Sequence, residues 1–495
     1  MMNALDKFTA RFAPRWTLER VRARMTLDTA VRHYEAAQQG RRTSGWARSR
    51  GDANATAGSA LAELRMHARD LERNCGWARR GLSVIAGNTV AWGIVPRPKH
   101  AQAKDISVLW KSWAESLRCE SGGRLTFYGL QELVVRSVAR DGEILIRRRP
   151  RRPEDGLAVP LQLQVLEADY LDTAKDNLTG EAGGPIIQGI EYDKLDRRVA
   201  YWLFPEHPGS ARSVGQSKRI PASEVATIYL PERAGQGRGV SWLAASVLDL
   251  KDFDEFEDAE LSRQKVAAMF AGYMTDADGV GGGAFGESDK KDPLTQHIQP
   301  GTILSLPPGR QVTMANPPSV VEGTFAQRRL RKVAASWGVT YEDLTGDYSQ
   351  VNYSSARMAR VAHWRNVHRW QWHMVVPQLC QVVWGWFIEA AALAGLAPEG
   401  VEADWTVPPM PMIEPVQEGL AYSRLIRNGV LTHAQAILEQ GRDPELHWDE
   451  YREGLDELDK REIWLDSDPR RTSAAGLTQE RAGLNKGGDT SEEGG

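Results

Sequence analysis

Five arginines between residues 147 and 152 form a dense group of side chains that could bind an anion. They are Arg147, Arg148, Arg149, Arg151 and Arg152, interrupted only by Pro150. Guanidinium groups donate paired hydrogen bonds to phosphate oxygens, so these residues are candidate phosphate contacts. A charged turn between two strands, which keeps a sheet edge soluble, explains the same residues equally well.

Carboxylates dominate a second group, between Asp249 and Glu260. Seven acids stand there against Lys251 alone. Apolar residues at helical spacing predict a helix from Ser241, which would cap it, to about Met274. Such a face would repel phosphate, although a solvated helix face explains each acid as well.

The third group is a polar loop with aromatic residues, which follows Gly338. Its side chains are Tyr341, Asp347, Tyr348, Ser349, Gln350, Asn352 and Tyr353. Asp, Asn, Ser and Gly favour turns, and Gly346 is the predicted flex point. The two outer tyrosines, Tyr341 and Tyr353, could instead pack beneath the loop.

A very long helix is predicted to carry this loop. Ser354 or Ser355 would cap its first turn, and helical character continues to about Ala394. That is about 40 residues, or about 60 Å at the α-helical rise. Pro377 should bend this rod rather than end it. A polar loop on so long a helix is unusual for an enzyme and suits a machine that holds a loop at a defined radius.

Motifs for familiar enzyme chemistry are missing from the sequence. It contains no Gx4GK[ST] phosphate loop, no GxSxG and no HExxH. His363, His368 and His373 lie five residues apart on the predicted rod, so each is turned about 140° from the last and the three cannot share a metal. We therefore predict no catalytic residue, no metal and no cofactor.

Composition indicates a globular protein rather than a disordered or fibrous one. The 495 residues are 41% hydrophobic and 26% charged, with a net charge of −3, so any DNA contact must be local or weak. Three scattered cysteines argue against a zinc site or a disulfide framework and fit a reducing cytoplasm. Seventeen tryptophans indicate buried aromatic anchors, at subunit contacts or elsewhere.

No secretory signal is expected, because the first 30 residues are Arg-rich without an apolar segment. The most membrane-like stretch, Met374–Gly395, contains Pro377, two glutamines and Glu389, so we interpret it as a buried helix.

The remaining elements predict an α+β fold. A basic arm comes first, then a helix from about Thr56 to Ile85 that gives way to an extended piece near Gly87, and a helix that ends at Asp141-Gly142. Within the first of these helices, Arg69 and Asp70 are interpreted as structural ion partners. Later elements are strands at Glu143–Arg149, Leu161–Leu166, Pro185–Tyr192 and Arg198–Phe204, two short strands around Pro307-Pro308-Gly309, a helix at Phe325–Trp337, and two or three short helices up to Leu465, separated by Gly429 and Gly441.

The loop and the start of the rod resemble the lambda-type family of tailed-bacteriophage portal proteins. That family has a Gly-Val-x-Tyr-Glu segment and then an Asp-Tyr-Ser-x-x-Asn-Tyr-Ser-Ser-x-Arg run. Here these read Gly338–Glu342 and Asp347–Arg357. Weaker similarity runs in the same order from about residue 30 to 465. Two departures are Asp196 or Arg197 where a glycine is usual, and Ile228 where a histidine is common.

The resemblance implies a multi-region portal fold that assembles as a ring. Its regions would be a basic N-terminal arm (1–60), a mixed α/β wing (61–240), a first stem helix (241–272), a small α/β clip (273–320), a second stem helix (321–339), a tunnel loop (340–353), a long kinked wing helix (354–400), an α-helical crown (401–465) and a disordered tail (466–495). The tunnel loop would contact DNA in the channel. Asp252, Glu255 and Asp258 would face the channel from the stem.

The resemblance also implies a function and partners. The protein would form a dodecameric ring at one capsid vertex, through which double-stranded DNA is packaged and ejected without sequence preference. The large terminase subunit and later a head-completion protein would dock there, and the major capsid and scaffolding proteins would surround it. The ring would assemble in the cytoplasm of the host bacterium and remain in the virion, with no membrane and no enzyme activity.

Two other classes of protein stay open from the sequence. One is an enzyme acting on nucleic acid, such as a metal-dependent nuclease whose acids hold the ion. The other is a host-encoded structural or adaptor protein without a DNA channel.

Overall fold

The computed structural model describes residues 18–19, 22–23, 45, 51–211, 215–268, 272–276, 310–314, 322–463, 465, 468 and 470. The chain divides into two compact units, Met1–Thr56 and Ala57–Gly495. Most of the predicted basic arm, most of the predicted clip and nearly all of the predicted tail lie outside the described residues.

Helices and antiparallel strands alternate irregularly along the described chain. The helices are α1 (Ala53–Ala57), α2 (Leu61–Asn74), α3 (Gly76–Val90), α4 (Ala103–Ala114), α5 (Phe127–Asp141), α6 (Val247–Ala268), α7 (Glu322–Trp337), α8 (Tyr341–Thr345), α9 (Tyr353–Trp370), α10 (Gln381–Leu393), α11 (Pro415–Arg427), α12 (His433–Glu439) and α13 (Pro444–Lys460). The strands are β1 (Val95–Pro98), β2 (Glu143–Pro150), β3 (Leu161–Glu167), β4 (Leu178–Thr179), β5 (Gly183–Ile187), β6 (Ile190–Asp193), β7 (Arg198–Leu203), β8 (Lys218–Pro221), β9 (Val225–Tyr229), β10 (Gly272–Asp276), β11 (Arg310–Met314) and β12 (Ala403–Thr406). The predicted α+β class is confirmed.

A three-stranded sheet in the order β3-β2-β9 lies at the centre of this unit. Its strands alternate between two cores: Ile144 and Ile146 point into the main core, and Leu145 points into a smaller one. Strands β4 to β8 form a separate five-stranded meander that contributes Ile190 and Tyr201 to the smaller core. Because both faces of the central sheet are covered, residues 144–146 of β2 form a continuous apolar run.

Tryptophans and phenylalanines fill the main core. The ring centroid of Trp110 lies 5.3 Å from that of Phe127, 5.3 Å from that of Trp384 and 4.9 Å from that of Phe387. The indole nitrogens of Trp113 and Trp384 donate to the carbonyls of Leu161 and Val401. These tryptophans are therefore anchors within one chain.

The predicted rod is present as the continuous helix Tyr353–Leu393, 41 residues long. Helices α9 and α10 are joined by a π-helical segment, Gln371–Cys380, which contains Pro377. The wider π turn accommodates the proline, which lacks an N–H and would clash in a regular α-helix. By length and composition the rod could cross a bilayer, but 67% of its most apolar stretch is buried inside the protein, as in the core helix of a soluble protein.

Three sequence expectations about single elements are wrong. The helix predicted from Thr56 to Ile85 is broken at Cys75, which is extended (φ −108°, ψ 116°), and α3 then continues past Gly87 to Val90. The break allows α2 and α3 both to pack against α5. The strand predicted at Pro185–Tyr192 is a hairpin, because Gln188 and Gly189 both adopt positive φ and make a two-residue turn.

The third concerns the helix predicted to start at Ser241. The Ser241 hydroxyl accepts from the Leu243 N–H, in a turn that buries Leu243, and α6 begins later, at Val247. The chain before it is held by a close approach of Gly239 to the Gly142 carbonyl. Elsewhere, Asp196, one of the two residues expected where a glycine is usual, has φ +58°, a conformation that Asp tolerates.

Trp337, the last residue of α7, ties the two helices α6 and α7 to the main core. Its indole N–H donates to the Ser246 hydroxyl at 2.8 Å. Its ring lies against the Cα of Gly81 in α3, so closely that a Cβ there would lie 2.1 Å from a ring carbon. Gly81 is therefore required by packing and not by backbone conformation.

We predict that Gly81→Ala destabilises the chain by about 1–3 kcal/mol through overpacking, although alanine is the better helix former. Gly87→Ala is the matched control, since it lies in the same helix with no atom within 4 Å of the added Cβ. It should leave the stability unchanged or raise it by up to about 1 kcal/mol. Denaturant unfolding of both variants measures the difference, and equal effects would contradict the role of the Trp337 contact.

Candidate nucleic-acid interface

The polar loop between α7 and the rod has a fixed base. Gly338, with φ +71°, turns the chain out of α7, and the Thr340 hydroxyl caps α8 by accepting from the Asp343 N–H. Leu344 is fully buried, and Arg80 of α3 donates to the Asp343 carbonyl at 3.3 Å. The first part of the predicted loop is thus a short, anchored helix.

His363 of the rod fixes the start of this segment. Its Nδ1 lies 3.1 Å from the Gly338 carbonyl, so that nitrogen carries the proton and donates, while Nε2 accepts from the Asn88 amide at 3.1 Å. Asn366 donates to the same carbonyl at 3.0 Å. The neighbouring His368 instead accepts from the Trp364 indole, and burial lowers its pKa. These rod histidines therefore serve different structural partners.

Asp347 and Tyr341 shape the turn after α8. Gly346 is left-handed (φ +73°), and an Asp347 carboxylate oxygen accepts from the Ser349 N–H at 3.0 Å. Hydrogen bonds from Ser349 hold the pKa of Asp347 below its ordinary value. The Tyr341 hydroxyl donates to the other Asp347 oxygen at 3.3 Å, and burial followed by the Asp347 charge raises the pKa of Tyr341.

The rod begins earlier than its serines suggest. The residue that caps it is Asn352, whose side-chain oxygen accepts from the Ser355 N–H at 2.9 Å. The expectation that Ser354 or Ser355 caps the rod is therefore wrong. The amide oxygen of Asn352 is committed to the protein and not to a ligand.

The exposed tip of the loop consists of Tyr348, Ser349 and Gln350. Tyr348 is 56% exposed, and Tyr353, at the first turn of the rod, is 47% exposed. These two rings line a cavity of about 260 Å³ together with Arg357, Arg360 and residues 411–413. Of the seven residues singled out in the sequence, Tyr341, Asp347 and Asn352 build the loop. The other four are exposed: Tyr348, Ser349, Gln350 and Tyr353.

The three acids singled out in α6 lie on one broad exposed face. Asp252, Glu255 and Asp258 are spaced by three residues, which places successive side chains about 60° apart around the helix. Asp249, by contrast, binds α7, with Arg329 at 2.8 Å and Lys332 at 2.6 Å. Ring contact between Phe256 and Phe325 holds the same two helices together.

The five arginines of β2 and the following turn have different surroundings. Arg148 forms an ion pair with Glu389 of the rod at 2.6 Å, and Arg151 donates to Gln162. Arg152 is tied to Asp155 through its backbone N–H. Arg147 and Arg149 lie on the opposite face of β2 from Arg148.

An ion network lies at the junction of α2, α5 and β3. Of its residues, only Arg69 was singled out from the sequence. Arg69 contacts Asp141 at 3.0 Å and Asp169 at 2.6 Å, and Arg140 contacts Asp141 at 2.7 Å and Glu72 at 2.9 Å. Asp70, singled out together with Arg69, lies outside this network: it is exposed, accepts from Asn74 and pairs with Arg73 at 3.6 Å. The partners of Arg69 are more than 70 residues away along the chain, so no spacing rule could find them.

Three side chains of this junction have the donor types of a metal site. Ligand atoms of Glu167, Asp169 and His207 lie within 4.8 Å of one another. Arg69, however, lies 3.3 Å from Glu167 and 2.6 Å from Asp169, so a guanidinium already occupies the carboxylate oxygens that a cation would need. The arrangement fits a structural ion network better than a catalytic metal.

Carboxylates of this network stabilise the fold above their unfolded pKa. Burial alone would raise the pKa of Asp169, but the charges of Arg65 and Arg69 outweigh it and lower that pKa. For Glu72, Arg140 and Arg136 likewise outweigh burial. Their contribution is therefore complete above about pH 6, where both groups are ionised in the unfolded chain as well, and is lost as the pH falls through the lower folded pKa values.

Comparison with known proteins gives a consistent family. The sequence matches the family described as phage portal protein, lambda family, over residues 39–371. A probable portal protein of Halomonas phage phiHAP-1 is 27% identical over 447 residues, which cover 84% of this chain and 85% of that protein. The portal protein of Escherichia phage N15 is 22% identical over 364 residues, 65% of this chain and 68% of that protein. A chain from the neck of an empty GTA particle, computed with C6 symmetry, has 17% identity and a TM-score of 0.47, over 78% of this chain and 94% of that chain.

We predict that Asn352→Ala destabilises the chain by about 0.5–2 kcal/mol, because it removes the acceptor that caps the rod. Ser354→Ala, two residues later in the same turn, is the control and should change stability by less than about 0.5 kcal/mol. Thermal unfolding of the two variants tests this. A larger loss of stability in the Ser354→Ala variant would contradict Asn352 as the capping residue.

Proposed function

The chain belongs to the lambda family of phage portal proteins, and from this premise we propose that its copies form a dodecameric ring at one vertex of a phage capsid. The centre of the ring is a channel through which double-stranded DNA is packaged and later leaves. The ring docks the large terminase subunit during packaging and a head-completion protein afterwards, among the capsid and scaffolding proteins. It assembles in the cytoplasm of the host bacterium and stays in the virion.

The observation that carries this proposal is the exposed loop tip on a fixed base. Trp337, His363 and Asn352 hold both ends of the loop by buried packing and hydrogen bonds. Tyr348, Ser349 and Gln350 project between these ends, and Gly346 provides a joint at one side. Polar residues that build no core and stand on a rigid support fit a surface that meets another molecule.

The chemistry of the tip suits contact without sequence readout. In a ring, copies of Tyr348 and Gln350 narrow the channel and reach the sugar-phosphate backbone of the duplex. Hydroxyl and amide groups donate to phosphate oxygens, and such contacts carry no sequence information. Without positive charge they also bind weakly, so the duplex can slide.

The acidic face of α6, in the stem, also keeps the duplex free to slide. Asp252, Glu255 and Asp258 line the channel in this proposal, and their charges repel the duplex from the wall. Lysines in their place would release counterions on binding phosphate, and nonspecific affinities built that way reach about 10⁻⁴–10⁻⁶ M. Copied around a ring, such a grip would hinder sliding.

The proposal includes no catalytic activity of this chain. The absence of a phosphate loop and nucleophile motif in the sequence supports it, as does the arginine-filled cluster at Glu167 and Asp169. This cluster does not support the alternative of a metal-dependent nuclease.

Replacing Tyr348, Ser349 and Gln350 by Gly-Ser-Gly tests the loop. Asp347 and Asn352 are kept, because they build the turn and cap the rod. We expect rings to form normally and the length of DNA packaged or retained in the head to fall, since the constriction is lost. Tyr348→Phe, which keeps the bulk of the ring, is the control and should package close to normal. Normal packaging by the Gly-Ser-Gly variant would remove the loop from the channel.

Changing Asp252, Glu255 and Asp258 to lysine tests the stem. We expect rings that assemble but package DNA more slowly, because the wall now binds phosphate. The neutral control combines Asp252→Asn, Glu255→Gln and Asp258→Asn and should have the smaller effect. If the lysine rings package at the normal rate, these acids do not line the channel.

A further inference from the structure

Arg147 and Arg149 share one face of strand β2. Side chains two residues apart on a strand point the same way and lie about 6.6–6.8 Å apart along it. The intervening Arg148 points to the other face, where Glu389 of the rod neutralises it. In the register of the sheet Gln164 stands directly opposite Arg147, so its amide belongs to the same face.

This pair of cations has no neutralising partner in the part of the chain that the structure describes. No carboxylate there lies within ion-pair distance of either guanidinium, and the Nε–H of Arg147 is buried without an acceptor. Burial, and then the charge of Arg149, lowers the pKa of Arg147, and the charge of Glu224 offsets this only in part. Two like charges and an unsatisfied buried donor are costly unless anions neutralise them.

A role in protecting a sheet edge does not explain Arg147. Charged residues blunt edge strands, whose backbone groups would otherwise pair with another chain. Arg147 instead pairs with Gln164 on one side and with Val225 on the other, inside the three-stranded sheet. Its charge is therefore not needed to keep an edge soluble.

We propose that Arg147, Arg149 and Gln164 form an oxyanion seat that binds phosphodiester groups of DNA, separate from the channel loop. The two guanidinium forks match the geometry of phosphate oxygens, and the Gln164 amide adds a neutral donor. Phosphates follow one another every ~3.4 Å of axis along each strand of a duplex, so two arginines ~6.7 Å apart reach different phosphates. The seat recognises backbone and not sequence.

The choice of DNA over an acidic protein segment rests on the proposed function, which brings a duplex to the ring. Carboxylates would suit the same guanidinium groups, so a polyglutamate competitor is one arm of the test. Three consecutive arginines on one strand allow the two seat arginines to be removed together and Arg148, on the opposite face, to be removed as the control.

Binding of a short fluorescent duplex is measured by anisotropy over a range of salt concentrations, with full-length protein. Each phosphate contact contributes about 0.9 to the slope of log K against log salt. We expect Arg147→Ala with Arg149→Ala to reduce that slope by about 1.8, so that raising salt from ~50 to ~200 mM costs roughly tenfold less affinity than in the unmodified protein. Arg148→Ala should leave the slope unchanged, and so should the uncharged Gly-Ser-Gly loop variant.

Arg147→Gln with Arg149→Gln repeats the test with side chains of similar length and polarity, in case the alanines disturb the sheet. An unchanged slope in both double variants overturns the seat, as does an equal fall with Arg148→Ala. Binding of polyglutamate in preference to the duplex overturns it as well. Rings in the unmodified protein alongside an unchanged slope would reject the seat and leave the channel standing. An arginine-dependent slope in a protein that forms no rings would support the seat and reject the channel.

Discussion

The contact between the Trp337 indole and the Cα of Gly81 is the constraint on which the arrangement of the candidate interface depends. Trp337 is the last residue of α7, and one residue later Gly338 starts the loop. The same indole donates to Ser246, which lies just before α6, so one side chain sets where both helices meet the core. Since Gly81 admits no side chain beneath the ring, the position of α7 against α3 is fixed within narrow limits.

A rigid base and a polar tip follow from this packing. Buried aromatic residues and the hydrogen bonds of His363 hold the loop where it leaves α7, and Asn352 holds it where it enters the rod. Between them α8 is anchored by Leu344 and by Arg80, and the tip after it is shaped by local bonds such as that of Asp347 with Ser349. The rod transmits this placement over its length because its π-helical turn accommodates Pro377 without ending the helix. The same scaffold presents the acids of α6 on an exposed face, while Asp249 secures α6 to α7.

Sequence predicted the parts of the fold that local rules govern. The length of the rod, its continuation past Pro377 and the stop at Gly142 follow from helix propensity and from glycine and proline stereochemistry. The helix boundaries at Cys75 and Val247 and the Gln188-Gly189 hairpin were missed, because packing between distant segments decides them. For the candidate site, the polar loop and the acidic helix carried a composition signal. Composition did not indicate which residues of the loop are exposed and which build the turn. Asn352 and Asp347 look like ligand residues until their backbone hydrogen-bond partners are known. Arg69 contacts Asp141 and Asp169, which lie 72 and 100 residues away along the chain, and no motif records such contacts.

Electron cryomicroscopy of the purified, unmodified protein would show whether its copies form a ring around a channel. We expect closed rings in which the Tyr348–Gln350 tips of all copies converge on the axis and form the narrowest part of a continuous channel. A compact monomer would contradict it, and so would a ring whose loops lie on its outer surface, away from any channel.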